Sequence, residues 1–230
     1  MNDFGAALAL LLDARNRYST VRAVVRNVFT PLPEAGEGQG EEAVTREEYV
    51  TRIWLAPPDR IRVEREEDGA GRSIGIRDGA AWWAVDGDGS RHSNVHEPEV
   101  GSDIGDSTKL LFDPAPLVGA LKLELIEETE LLGRRAIRMR GTRRPKVVTT
   151  DFELDELESE DELEFDVDAE RGVLLRRRSE HRGHEWFLQE ALEISFDEKF
   201  GPETFVSLAP DRERPALDAP EPTAPERLEP

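Results

Sequence analysis

Hydrophobic positions at the start of the chain recur at helical spacing and then switch abruptly to alternation. Phe4, Leu8, Leu11, Leu12 and Tyr18 form a helical stripe, and Asp3 or Asn2 stands where an N-cap belongs, so a helix is expected to about Tyr18. From Val21 the period is two. Val21, Ala23, Val25 and Phe29 share one face against Arg22 and Arg26, and Tyr49, Thr51, Ile53 and Leu55 oppose Arg52 and Trp54. Ile61 and Val63 alternate with Arg60, Arg62 and Glu64; Ile74 and Ile76 follow, then Ala81–Val85 with Trp82 and Trp83. This is the pattern of half-buried antiparallel strands with one wet face.

Pro/Gly/Glu-rich and polar stretches punctuate the strands at 31–42 and 87–106. Between Thr108 and Leu121 the segment LLFDPAPLVGAL reads as a short helix, opened by Asp113-Pro114 with proline in its first turn. Strand pattern resumes at Leu121, Leu123 and Leu125, at Ile137 and Met139, and at Leu163, Phe165 and Val167 among acids. The turn Ala169-Glu170-Arg171-Gly172 leads into Val173–Arg178. Trp186, Leu188, Leu192, Ile194 and Phe196, all of even parity, predict a last strand. About ten strands and two helices define an α+β domain over 1–207. A twisted antiparallel sheet of that size curls, and the helices are the candidates to fill its concave side. From Leu208 the Pro- and charge-rich APDRERPALDAPEPTAPERLEP predicts a disordered tail over 208–230.

Charge and composition narrow the function. The chain has 230 residues, 50 Asp+Glu against 30 Lys+Arg, a net charge of −20 and no cysteine. The missing cysteines remove disulfides, thiolate metal sites and cysteine nucleophiles. The charge argues against nucleic-acid partners and anionic lipid surfaces. Residues 1–150 hold 25 acids and 21 bases, whereas 151–230 hold 25 acids and 9 bases, so the acidity sits in the second part. The apolar run Ala6–Leu12 is too short and wrongly flanked for an export signal, and no segment reaches the ~20 apolar residues of a membrane span. As written, the chain is expected to be cytoplasmic.

No catalytic signature is present, neither G-x-S-x-G, H-E-x-x-H nor a phosphate loop, and the expectation is a non-enzyme without cofactor. Asp86, Asp88, Ser90, His92, Asn94 and Glu97 stand at calcium-loop spacing. Arg91, however, occupies the position that needs glycine, and the pairs His92/His96 and His181/His184 lack an adjacent glutamate, so no metal is expected.

Two classes of site remain. A concave cavity would be walled by Leu8, Leu11, Phe29, Tyr49, Ile53, Ile61, Trp82, Phe112, Leu117, Leu123, Ile137, Phe165, Trp186 and Leu188, or these side chains simply fill the core. Trp54 falls on the opposite face, either as an interaction patch or packed under a loop. The run Asp151–Asp168 carries 11 carboxylates and no base. Within it, Glu156, Glu158, Glu160 and Asp161 could dock a basic protein partner or serve only solubility.

Seven segments, in order, resemble the outer-membrane lipoprotein carrier (LolA-like) superfamily, a group that includes the sensor domains of periplasmic sigma-factor regulators and the mycobacterial lipid-carrying lipoproteins. They are Arg15–Ser19 with VRAVVRNVF, WLAPPDRIRVE (54–64), IRDGAAWWAVD (76–86), LLFDPAPLVGAL, LLGRRAIRMRG (131–141) and FDVDAERGVLLRR (165–177). Pro57-Asp59-Arg60 is similar to the family's strand entry, and Asp168–Leu174 to its D-x-x-[TR]-G hairpin. The resemblance spans about residues 5–205. It implies an unclosed half-barrel lidded by helices, with a hydrophobic cavity for a lipid or acyl chain, and an envelope location should the true start lie upstream. It assigns no residue to the Arg and loop by which carriers hand over cargo, so fold carries over and cargo does not. The leading expectation is therefore binding of a hydrophobic small molecule or lipid. The alternative is a protein-interaction module with a filled core.

Overall fold

A computed structural model describes residues 3–31, 46–67, 71–94, 103–144, 161–181 and 183–206. The expected tail at 208–230 and Glu156, Glu158 and Glu160 lie outside these residues. Helix α1 (Phe4–Asp13) starts where the cap was expected, with the Asp3 carboxylate accepting from Gly5 N at 2.9 Å. It stops at Asp13, earlier than its apolar stripe, and continues as a 3-10 turn, Ala14–Asn16.

Six strands follow: β1 (Val21–Phe29), β2 (Glu47–Ala56), β3 (Arg60–Glu67), β4 (Gly71–Asp78), β5 (Ala81–Val85) and the short β6 (Arg91–Ser93). The stretch expected as loop at 87–106 thus contributes a strand. It is secured by Asn94, whose amide donates to Ala80 O and whose carbonyl accepts from Trp82 N. The single helix expected mid-chain is two, α2 (Asp106–Phe112) and α3 (Ala115–Ala120), because Pro114 has no N–H with which to continue α2. Strands β7 (Leu121–Leu131), β8 (Arg134–Arg143), β9 (Asp161–Asp168), β10 (Leu174–His181) and β11 (His184–Phe196) complete the sheet.

All neighbours are antiparallel, in the order β6-β5-β4-β3-β2-β1-β11-β10-β9-β8-β7. Two meanders are joined by β1 and β11, and the eleven strands form a curved, unclosed sheet. The helices cover its concave face. Ala7 and Leu11 of α1, Leu110–Phe112 of α2 and Leu117 of α3 share one core with Val21, Ala23, Val25, Ile53, Met139 and Phe165 from the inner strand positions. The β9–β10 hairpin closes against α1. Asp168 accepts from the N–H groups of Glu170 and Arg171, and Gly172, at φ +76°, passes too close to the Leu10 carbonyl for any side chain.

The last strand departs from simple alternation. Register shifts against both partners make Leu192 and Trp186 bulge residues, so between them the inward positions are odd: Phe187, Gln189 and Ala191. Leu188, expected on the cavity wall, therefore shares the outer face with Val28 and Arg178.

That outer face carries two further structures. Across five strands runs the row Arg138, Asp166, Arg176, Glu190 and Arg26, alternating in sign. Arg138 and Arg176 reach Asp166 at 2.9 and 2.7 Å, and Arg26 pairs with Glu190. Beside it, Glu164 meets Arg178 at 3.1 Å and Arg140 at 3.8 Å. The part of the acidic run in β9 is thus neutralised by its own neighbouring strands. Farther along, Trp54, Ala56, Ile74, Ile76 and Trp83 form a second apolar cluster, covered by Phe200 and Phe205 of the segment after β11. The Arg62 guanidinium holds that segment through Thr204 O at 3.1 Å and lies 5.7 Å over the Trp54 ring.

Candidate functional site: the helix-covered concave face

The concave face divides into three zones along the strand direction. In the middle, Leu11, Ile53, Ile61, Phe112, Leu117 and Phe165 are fully buried, with Leu123, Ile137 and Trp186 partly buried against them. Leu8 is half-buried on α1. These expected wall residues come together, and in this conformation they pack on one another.

At the end remote from α1 the inner face turns polar. Arg177, 4% exposed, donates to Gln189 Oε1 at 2.8 Å. Gln189 donates to Asn27 Oδ1 at 2.7 Å, and Asn27 to Thr51 Oγ1 at 3.1 Å. Gln189 and Arg177 both also donate to the Ser107 carbonyl, at 3.0 and 3.3 Å, fixing the start of α2. Aromatic groups rim this zone. Phe29, 38% exposed, meets Trp186 edge-on at 6.0 Å, Phe187 lies under the Arg177 guanidinium, and Tyr49 lies 3.5 Å from that of Arg65. Sequence reasoning missed Asn27, Gln189 and Arg177 because it assigned polar residues outward. The two β11 bulges also hide the phase of Gln189, whereas Asn27 shares the parity of Val21, Ala23 and Val25 and could have been found from it.

At the opposite end a pocket of about 110 Å³ opens between the segment that follows α1 (Arg15, Tyr18), α2 and the β2–β3 turn. Tyr18, Leu55, Ile61 and Phe112 line its apolar part; Arg15, Arg77, Lys109, Asp106 and Asp113 are the charged residues around it. Tyr18 donates to the Phe112 carbonyl at 2.9 Å, pinning the end of α2, and burial, reinforced by Asp113, pushes the phenol well above its ordinary value. Trp82 is half-buried in the adjoining strand, directly across from Arg77. Two open depressions at the β7–β8 turn, of about 400 and 370 Å³, are lined by charged residues such as Arg134, Asp168 and Glu128 together with small ones such as Gly133 and Ala169. They do not match an apolar ligand.

Of the docking candidates, Trp54 is half-buried beneath Phe200 and Phe205, and Asp161 opens β9 opposite His181. Of the residues spaced like a calcium loop, Asp86, Asp88, Ser90 and His92 serve the β5–β6 turn, and Glu97 lies outside the described residues. Asp88 accepts from Ser90 N at 2.8 Å, a bond that lowers its carboxyl below the ordinary value, and Asp86 meets His92 at 2.9 Å.

No protein-family model and no curated protein matches the chain. Solved structures do. The chain is similar to MucB, with a TM-score of 0.54 and 13% identity over 88% of its length. It is also similar to MucB in the Pseudomonas aeruginosa MucA/MucB complex (0.51, 14%, 88%). Lipoprotein LppX of Mycobacterium tuberculosis matches at 0.51 and 14% identity, over 86% of this chain and 99% of its own. The chain spans about 62% of the MucB chain. At these identities the likeness is one of fold. The curved, unclosed sheet with helices on its concave face is thus a fold shared with MucB and LppX.

Proposed function

We propose that the protein is a non-catalytic binder of a hydrophobic or amphiphilic small molecule, held between the concave face and its helices. The observation that carries this reading is the pocket beside α2, whose apolar floor of Tyr18, Leu55, Ile61 and Phe112 leads directly into the core. The pocket alone takes only the end of a ligand. The rest of an acyl chain would enter as α2 moves outward, taking the place of Leu110, Leu111 and Phe112, with burial contributing about 25 cal/mol per Å². The bonds to the Ser107 and Phe112 carbonyls hold α2 over the core, and this movement would have to open them. LppX, which shares the fold, is a lipoprotein, and this favours the cell envelope as the place of action. No helix among the described residues is long and apolar enough to cross a membrane.

Native mass spectrometry before and after organic extraction tests the reading. A co-purifying lipid, or saturable uptake of a fluorescent fatty acid by extracted protein, supports it. A protein that arrives empty and takes up no probe refutes it.

A second reading, a protein-interaction module, is favoured by the filled middle of the concave face and by the MucA complex of a protein with this fold. Its acidic-flank version rests on Glu156, Glu158, Glu160 and Asp161, since Glu164 and Asp166 already face arginines. Salt-sensitive capture of a basic partner, lost when those four are neutralised, is its test.

A further inference from the structure

We infer that the pocket between the segment after α1, α2 and the β2–β3 turn selects a carboxylate, the headgroup of a fatty acid or similar monocarboxylate, with Arg77 as its counter-charge. This rests on the hydrophobic-ligand reading above and adds the chemistry of the ligand's end.

Arg77 is out of place for a structural arginine. Register puts it on the concave face, in the row Val21, Leu55, Ile61, Arg77, Trp82, where the other four residues are apolar or aromatic. Half-buried arginines of the outer face such as Arg138 and Arg176 have acids to meet: Arg138 alone reaches Glu127, Glu164 and Asp166, and Arg176 reaches Asp166. Among the described residues no carboxylate pairs with Arg77 or with Lys109, although both line the pocket. The nearby acids do not fill the role. Asp113 is engaged by Arg15 at 3.6 Å, and Asp106 is exposed at the first position of α2. Three cations against two carboxylates leave the pocket with one positive charge in a chain of net −20. A half-buried guanidinium without a partner favours an anion that brings its own hydrogen-bond acceptors.

Size and floor narrow the anion. A volume of about 110 Å³ equals roughly three to four water molecules at ~30 Å³ each. That accommodates a carboxylate and its first carbons. The apolar floor suits the start of an alkyl chain, and a net charge of one positive matches a singly charged anion better than a multiply charged one.

Calorimetric titration of the full chain with octanoate, octan-1-ol and inorganic phosphate tests the assignment, using wild type, Arg77→Gln and Lys109→Gln. Octanoate is expected to bind about tenfold or more tightly than octanol, and Arg77→Gln to remove that preference by weakening octanoate about tenfold while leaving octanol unchanged. Lys109→Gln, on an exposed helix position, should weaken octanoate about threefold and keeps the test intact should Arg77→Gln fail to fold. Equal binding of octanoate and octanol, octanoate affinity indifferent to both substitutions, or phosphate competing as well as octanoate would each overturn the carboxylate assignment. The first two leave the hydrophobic-ligand reading standing. Failure of both amphiphiles to bind, with no co-purifying lipid, overturns both.

Discussion

Gly172 in the β9–β10 hairpin lies directly beneath the backbone carbonyl of Leu10 in α1, with no room between them for a β-carbon. The contact is reinforced on either side, where Arg17 donates to Glu170 O and Arg171 to Arg17 O. Helix α1 is thus seated by a hairpin far from it in sequence, and the seat is made of backbone.

Gly172→Ala should therefore cost about 2 kcal/mol or more, from strain at φ > 0 plus displacement of α1. Gly133 is the control. It turns at φ +69° in open space, and Gly133→Ala should cost only the left-handed penalty of about 1–2 kcal/mol. Urea denaturation of both variants decides it. Equal losses would mean that the Leu10 contact adds nothing.

Asp166 is 0% exposed on the outer face and lies between Arg138 and Arg176. Removing it leaves two guanidinium groups in each other's field. Asp166→Ala should destabilise by about 2–3 kcal/mol, below the full cost of a deeply buried pair because the arginines are partly solvated. The double variant with Arg176→Met should recover part of the loss, as a double-mutant cycle would read.

Phe205 and Phe200 seal Trp54 and Trp83 on the outer face. Phe205→Ala should cost about 2–3 kcal/mol and shift tryptophan emission to the red. An unchanged spectrum would show that the segment after β11 does not shield these rings.

The same segment should respond to acid. Asp197 accepts from Ser19 N at 2.7 Å and Ser19 Oγ at 3.0 Å and pairs with Arg171 at 2.9 Å; these contacts, the serine bonds first, hold its carboxyl below the ordinary 3.8. At Glu64, burial raises the carboxyl, but hydrogen bonds from Arg72 and Arg62 outweigh it, and the net shift is again downward. Depressed folded values mean stabilisation that is complete above the ordinary carboxylate range and lost as pH falls through the folded values. Tryptophan emission should therefore redden below about pH 4, with the step diminished in Asp197→Asn, which keeps the left-handed φ of +61° accessible.

What the sequence revealed was whatever is local. The helix-to-strand switch, the Asp3 cap, the Asp168–Gly172 turn and the alternation in β2 and β9 are written in neighbouring residues. What it concealed depends on distance or phase. The bulges at Trp186 and Leu192 leave no local mark, so Leu188 was read inward and Gln189 outward. Phe200 and Phe205 look like residues of a terminal coil until the fold brings them over Trp54, and Arg77 looks like an ordinary strand arginine until register sets it among Leu55, Ile61 and Trp82. At the candidate site, then, Ile61 and Phe112 are among the residues that alternation and the mid-chain helix pattern point to, while Tyr18, Leu55 and the charged rim come together only in the fold.

The strap over Trp54 also fixes a direction of exit. Thr20 Oγ1 holds Glu198 O at 2.8 Å, and Arg62 holds Thr204 O, so the backbone is carried behind the sheet before Val206. The strap and the mouth beside α2 therefore lie on opposite faces of the sheet and share no residue, so the back of the molecule is stapled without closing the front.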